Sequence, residues 1–172
     1  MQSNEKQIIN IYVYHLKPPF IISNDEKIGL YYDISKFLNN KNLPFTFKTI
    51  FIPRKRIELM LVNNKLDGIL AGVNPVWFDD KNESKYLWTG SLFQDKDEVV
   101  SLKSKPFNYS EPSSLIGHRL GGVLGFYYYG IDELVSKGKV SREDTIGEKE
   151  LLLMLLHNRV DAAIISHSTY QY

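Results

Sequence analysis

The chain has 172 residues and nearly balanced charges, with 21 basic and 20 acidic side chains and a net charge of +1. This balance, without a long run of either sign, argues against a nucleic-acid-binding face or a polybasic membrane patch. The absence of cysteine excludes disulfides, thiolate metal sites and a cysteine nucleophile. No apolar stretch has the length needed to span a bilayer, and 43% hydrophobic residues are typical of a globular domain.

The first half of the chain predicts the order β-α-β-α-β. An alternating run rich in isoleucine, valine and tyrosine is typical of a strand, and apolar residues at helical spacing follow it. The predicted elements are a strand at 8–14, a helix at 31–40, a strand at 45–52, a helix from Pro53 to about 63, and a strand at 66–72. This order favours a parallel sheet.

The second half predicts a crossing followed by another α/β lobe. Residues 87–102 carry strand signals around the charged stretch 95–98, and prolines and serines then mark the entry to the second lobe. A strand within 115–124, a helix at 131–137, a helix at 148–157 and a strand at 161–165 follow. A glycine-flanked aromatic loop at 125–130 lies between the first of these strands and the helix at 131–137, and its tyrosines, 127–129, are expected to open that helix. We therefore expect lobe 1 at 1–94, an inter-lobe hinge strand at 95–105 and lobe 2 at 106–172.

One segment of the chain nearly repeats itself. The first copy is Asn63-Asn64-Lys65-Leu66-Asp67-Gly68-Ile69, and it is echoed by Leu156-His157-Asn158-Arg159-Val160-Asp161-Ala162-Ala163-Ile164. Each copy joins a predicted helix to a short apolar strand. Two such units suggest two α/β lobes, and two lobes leave a cleft for a ligand. We interpret Asp67 and Asp161 as structural, with hydrogen bonds to local backbone.

Several segments, in their order and spacing, resemble the type II periplasmic solute-binding proteins, in particular family 3 of the bacterial extracellular solute-binding proteins, which includes amino-acid receptors of ABC transporters. The resemblance rests on Pro18-Pro19-Phe20, Gly29 with Asp33-Ile34, the segment 66–69, the segment 115–122 with Gly125, and the segment 158–162. It implies a two-lobe α/β Venus-flytrap fold of type II, in which hinge strands let the lobes close on a small ligand.

The resemblance also implies where a ligand is held, and there the chain departs from the amino-acid receptors. Asp79 stands where an arginine usually grips the α-carboxylate, and Ser166 where an aspartate usually binds the α-ammonium. Lys17 replaces a stacking aromatic residue. A typical α-amino acid is therefore not the expected ligand. The predicted ligand-binding residues are Lys17, Phe20, Arg56, Asn74, Trp77, Asp79, Gly125, Phe126, Tyr127 and Ser166.

Three of these positions leave alternatives open. Asp79 beside aromatic rings suits a cation, but Asp79 and Asp80 also suit a solvated turn with Lys81. Trp77 suits either the rim of the cleft or core packing. An arginine at the start of the second helix, Arg56 or its neighbour at 54, either contacts an anion at the strand ends or is simply solvated.

These features predict capture of a small polar solute by the extracytoplasmic receptor of an ABC-type uptake system, with a membrane permease as partner. The alternatives are a ligand-sensing module of a signalling receptor, with a sensor partner, and a small-molecule lyase or dehydratase on the same fold. We expect no catalytic residues, no metal, no cofactor, no nucleic-acid partner and no direct membrane insertion. We further expect a periplasmic location with the leader absent from this chain. Lobe 2 is expected to lack its return crossover and terminal helix, so that the strand at 161–166 lacks a neighbour.

Overall fold

The computed structural model describes residues 6–172, and the chain divides into two units between Leu92 and Phe93. Each unit is an α/β arrangement built on its own sheet. Among the described residues, no helix has the length and apolar character needed to cross a membrane.

The first unit is built on three parallel strands in the order β2-β1-β3. The elements are β1 (Gln7–Val13), α1 (Leu30–Asn39), β2 (Phe45–Phe51), α2 (Arg54–Val62) and β3 (Gly68–Leu70). The register places Val13 opposite Phe51 and Tyr12 opposite Leu70, so the three strands end at the same edge of the sheet. The predicted β-α-β-α-β order is confirmed.

The core of the first unit lies where α1 packs on β1 and β2. Tyr31, Tyr32 and Ser35 are the buried residues of α1, at the spacing that puts side chains on one face of a helix. Tyr31 joins Ile11 and Val13 of β1 in one apolar cluster. The loops that leave the carboxyl ends of these strands therefore begin from a packed core.

The second unit is built on a four-stranded sheet in the order β4-β7-β5-β6. β5 runs parallel to both β6 and β7, whereas β4 runs antiparallel to β7. The elements are β4 (Asp97–Val100), β5 (Arg119–Val123), α3 (Asp132–Ser136), β6 (Ser141–Thr145), α4 (Glu148–Leu156), β7 (Ala162–Ser166) and α5 (His167–Gln171).

Both faces of β7 are buried. Ala162 and Ile164 belong to one apolar cluster, and Ala163 and Ile165 to another. Successive side chains of a strand point to opposite faces, so the continuous apolar run forms the centre of two cores at once.

The second unit corrects three expectations and contains one strand that the sequence did not predict. The last strand does not lack a neighbour, because β4 and β5 pair with β7 on either side. Tyr127–Tyr129 do not open a helix but precede it, since α3 begins at Asp132. The charged stretch 95–98 is no break, because β4 begins within it at Asp97. β6 was not predicted at all. The hinge role of 95–105 stays a prediction, since β4 belongs to the second unit's sheet.

Candidate functional site

The carboxyl ends of the parallel strands in the first unit gather polar and aromatic side chains at one edge. We call this the first-unit edge and define it by the segments that follow β1 (14–17), β2 (52–54) and β3 (71–77). In open α/β sheets this is the edge where ligands bind. The side chains that these segments contribute are Tyr14, His15, Lys17, Arg54, Asn74 and Trp77.

Arg54, the first residue of α2, holds the first-unit edge together. Its side chain is 7% exposed, and its guanidinium donates to Glu58 at 2.9 Å, to the Tyr14 hydroxyl at 2.9 Å and to the Trp77 carbonyl at 2.6 Å. The guanidinium also lies 4.1 Å from the centroid of the Phe78 ring. These contacts join the segments after β1, β2 and β3, so we assign Arg54 a structural role in placing their loops.

His15 lies buried among aromatic rings at the same edge. Its ring centroid is 4.0 Å from that of Tyr14 and 6.0 Å from that of Trp77, and Nδ1 hydrogen-bonds to the Tyr31 hydroxyl at 3.1 Å. Burial, followed by the positive charges of Lys17 and Arg54, lowers the pKa of His15 to about 3. The imidazole is therefore neutral at physiological pH. Burial likewise raises the pKa of Tyr14 to about 12, although Arg54 acts in the opposite direction.

Gly72 permits the close approach of Tyr31 to the segment that follows β3. Its φ is +72°, and a Cβ there would overlap the Tyr31 hydroxyl, which is the group that bonds to His15. A residue without a side chain is therefore required at this position.

Trp77 lies in a short 3-10 helix, Pro75–Phe78, that follows the loop after β3. The Asn74 side chain accepts a hydrogen bond from the Trp77 backbone N–H at 3.2 Å and so caps this helix. Trp77 is half-buried and packs beside His15. Asn74 therefore acts on the backbone of the loop. The Trp77 ring and the buried His15 ring beside it form what we call the aromatic wall of the first-unit edge.

The acidic pair after this helix divides into two roles. Asp79 is fully exposed and forms an ion pair with Lys85 at 2.9 Å, so the turn pairs with Lys85 rather than with Lys81. Asp80 is 3% exposed and accepts hydrogen bonds from the Trp88 indole and the backbone N–H groups of 84–86. Burial by itself raises the pKa of Asp80, but these hydrogen bonds outweigh it and lower the pKa to about 2. The ligand role of Asp79 stays a prediction.

The other predicted residues of the first unit differ in exposure. Lys17 is half-buried, with Nζ 5.7 Å from the centroid of the Phe20 ring. Phe20 is 4% exposed and stacks on Tyr31 in the core. Arg56 is exposed on α2. The structure thus brings Lys17, Asn74 and Trp77 to the first-unit edge, and their ligand roles stay predictions.

The carboxyl ends of β5 and β7 in the second unit carry the remaining predicted residues. Ser166 is 1% exposed; its N–H and hydroxyl donate to the Glu148 carboxylate at 3.2 and 3.1 Å. Glu148 opens α4 and is 5% exposed, so a buried acid stands beside Ser166. Sequence reasoning missed Glu148, because nothing in its spacing links it to Ser166.

Arg142 of β6 holds the loop after β5 in the second unit. Its guanidinium donates to the carbonyls of Val123 and Phe126 at 2.9 and 3.1 Å, and to the Asp132 carboxylate at 2.7 Å. The loop contains the predicted residues Gly125, Phe126 and Tyr127; Phe126 packs against both apolar clusters and Tyr127 is half-buried. Burial raises the pKa of Tyr128, whose hydroxyl accepts a hydrogen bond from the Val123 N–H.

The repeated aspartates both connect the start of a strand to a neighbouring strand. Asp67 accepts a hydrogen bond from the Tyr12 hydroxyl at 2.7 Å. Asp161 accepts from the Arg119 backbone N–H at 2.9 Å and from its guanidinium at 2.8 Å. Their partners lie on adjacent strands rather than in the local backbone, and the roles are structural.

Comparison with known proteins identifies the fold. No family model and no curated protein matches the chain. Solved structures do match. An ArgBP mutant from T. maritima has a TM-score of 0.70 at 16% identity, covering 95% of this chain and 70% of that one. An arginine transport-system periplasmic binding protein from Legionella pneumophila gives 0.68 at 17%, with 96% and 71% covered.

A third match is the substrate-binding protein of an ABC uptake transporter from Streptococcus pneumoniae, with bound histidine, at a TM-score of 0.68 and 17% identity over 99% of this chain and 70% of that one. The chain therefore has a binding-protein fold of two α/β units. It is the fold of the type II periplasmic solute-binding proteins, and the resemblance read from the sequence is confirmed at the level of the fold.

Proposed function

We propose that this chain is a solute-binding protein that captures a small polar solute without changing it chemically, as the extracytoplasmic receptor of an ABC-type uptake system. The observation that carries the proposal is the first-unit edge, where loops fixed by Arg54 present Lys17 and an aromatic wall at the ligand-binding edge of an α/β sheet. The matched structures support it, since their names describe binding proteins.

The charges at the first-unit edge favour an anionic group on the solute. Lys17 and Arg54 both act on His15 as positive charges, and burial keeps His15 neutral. Asp79, the acid that suited a cation, is engaged with Lys85 at the surface. An anionic group beside Lys17 gains a charge-assisted hydrogen bond, and the half-buried Trp77 ring supplies the exposed part of the aromatic wall.

A binding role is favoured over an enzymatic one by the protonation states of the first-unit edge. A general acid or base works best with a pKa near the operating pH, whereas the pKa of His15 is lowered to about 3 and that of Tyr14 is raised to about 12. Neither group exchanges protons readily at neutral pH, so neither suits a role as a general acid or base.

A thermal-shift screen followed by calorimetry tests the proposal. The panel contains small carboxylates, amino acids, polyamines and quaternary amines, because a ligand that binds only the folded state raises the melting temperature. We expect a solute with an anionic group to stabilise the protein and to be recovered unchanged. Lys17→Met should weaken its binding about tenfold.

The matched control is Lys48→Met, which removes an exposed lysine of β2 and should leave the affinity unchanged. Stabilisation by cations alone would contradict the anionic specificity. Conversion of the bound solute to a product would overturn the binding role in favour of an enzyme.

A further inference from the structure

A cavity of about 220 Å³ lies in the second unit, at the opposite edge of its sheet from the loop that Arg142 holds. Its walls come from the segment after β4, from the residue before β5 and from the turn between α4 and β7. The amino ends of β5 and β7 meet at this edge, so the cavity is separate from the strand ends considered above. The lining residues are Leu102, Lys105, Pro106, Phe107, His118, Asn158, Val160 and Asp161.

The inner wall of the cavity is apolar. Val160 is 3% exposed, and Leu102 and Phe107 pack against the two apolar clusters of the second unit. The Phe107 ring meets the His118 ring edge to face, with centroids 4.9 Å apart. The volume equals that of about seven waters in the liquid, enough for a small ring.

The polar groups of the cavity are mostly donors. The Lys105 ammonium donates to the Asn158 side-chain oxygen at 2.6 Å, which leaves the amide nitrogen of Asn158 as a donor. His118 adds a ring N–H. The Asp161 carboxylate, the acid in the lining, forms an ion pair with the Arg119 guanidinium at 2.8 Å and also accepts a hydrogen bond from the Arg119 backbone N–H.

We propose that this cavity is a second binding site, for a small monocarboxylate with a flat apolar body. The body lies on Phe107 and Leu102, and the carboxylate faces the donors of Lys105 and Asn158. Such a ligand matches both the apolar wall and the donors: an ammonium ion would meet the like charge of Lys105, and a fully apolar molecule would gain no hydrogen bond from Lys105 or Asn158.

Benzoate is the probe, and its titration into the ¹⁵N-labelled protein is followed by NMR. We expect saturable binding with a millimolar Kd, and shifts centred on the amides of 102–107, 118 and 158–161. Acetate, which lacks the apolar body, should bind more weakly, and benzylamine, which reverses the charge, should not bind. Shifts centred elsewhere, equal binding of benzylamine, or no saturation at millimolar concentrations would each overturn the proposal.

Two variants separate this site from its surroundings. Lys105→Met should weaken benzoate binding about fivefold, the value of an exposed charge contact. Lys103→Met removes an exposed lysine that does not line the cavity and should leave binding unchanged. Lys17→Met, at the first-unit edge, should also leave it unchanged, so this test is independent of the proposed solute site. Equal weakening by Lys103→Met and Lys105→Met would show a general charge effect and contradict the site.

Discussion

Arg54→Met tests whether a buried arginine fixes the first-unit edge. Methionine keeps much of the packing volume of Arg54 but removes every donor. The Trp77 carbonyl and the Tyr14 hydroxyl then lose a charged donor, and Glu58 loses an ion-pair partner. Leaving a partly buried acceptor without a donor costs about 1–3 kcal/mol, and the Glu58 pair, one-third exposed, adds less than about 1 kcal/mol. We therefore expect a loss of about 3 kcal/mol in the free energy of unfolding of the first unit.

Urea unfolding followed by tryptophan fluorescence measures this loss, because both tryptophans of the chain, Trp77 and Trp88, lie in the first unit. Lys55→Met is the matched control. Lys55 is exposed and pairs with the same Glu58, so its loss should change stability by less than about 0.5 kcal/mol. A change below about 0.5 kcal/mol for Arg54→Met, or equal losses for the two variants, would refute the assigned role of Arg54.

Three further predictions concern the same unit. Gly72→Ala should lower the free energy of unfolding by more than about 2 kcal/mol in thermal denaturation, because the added Cβ overlaps the Tyr31 hydroxyl. The loss should be smaller in a Tyr31→Phe background, and equal losses in the two backgrounds would refute this cause. The pKa of His15 is lowered to about 3 in the folded state, so below pH 6.5 the unfolded state binds a proton that the folded state does not. The free energy of unfolding should therefore fall as the pH drops from 6.5, and by pH 4.5 it should have fallen about 2 kcal/mol further than in His15→Gln. Parallel pH profiles of the two proteins would contradict this prediction. Asp80→Asn should increase acrylamide quenching of Trp88 because the loop loses its anchor; unchanged quenching would argue against that anchor.

The fold was predictable where the burial of an element leaves a pattern of apolar residues in the sequence. The run Ala162–Ile165 is apolar throughout and of strand length, and the structure places it in the buried centre of a sheet. β6, Ser141–Thr145, escaped prediction because it is a polar strand at the edge of the sheet, stabilised by its pairing with β5 rather than by apolar burial. Tyr127–Tyr129 misled because aromatic residues before a helix resemble its first turn; here the Tyr128 hydroxyl binds the Val123 N–H in a loop.

The candidate site was predictable only in part. Sequence reasoning located the loops after the strands, and Trp77 and Asn74 lie there as expected. It did not predict that Arg54 is buried, because its partners Tyr14 and Trp77 lie far along the chain in both directions. No local pattern marks an arginine as buried or solvated when its acceptors are supplied by other segments.

Gly122 and Arg142 show how such long-range contacts constrain the sequence. They stand on neighbouring strands, and a Cβ at position 122 would lie 2.7 Å from Nε of Arg142. That guanidinium cannot retreat without releasing the carbonyls of Val123 and Phe126. The residue that is tolerated at 122 therefore depends on the residue at 142: a side chain at 122 is compatible with the fold only if 142 is no longer arginine. In an alignment of relatives, a residue other than glycine at 122 should therefore occur only where 142 is not arginine.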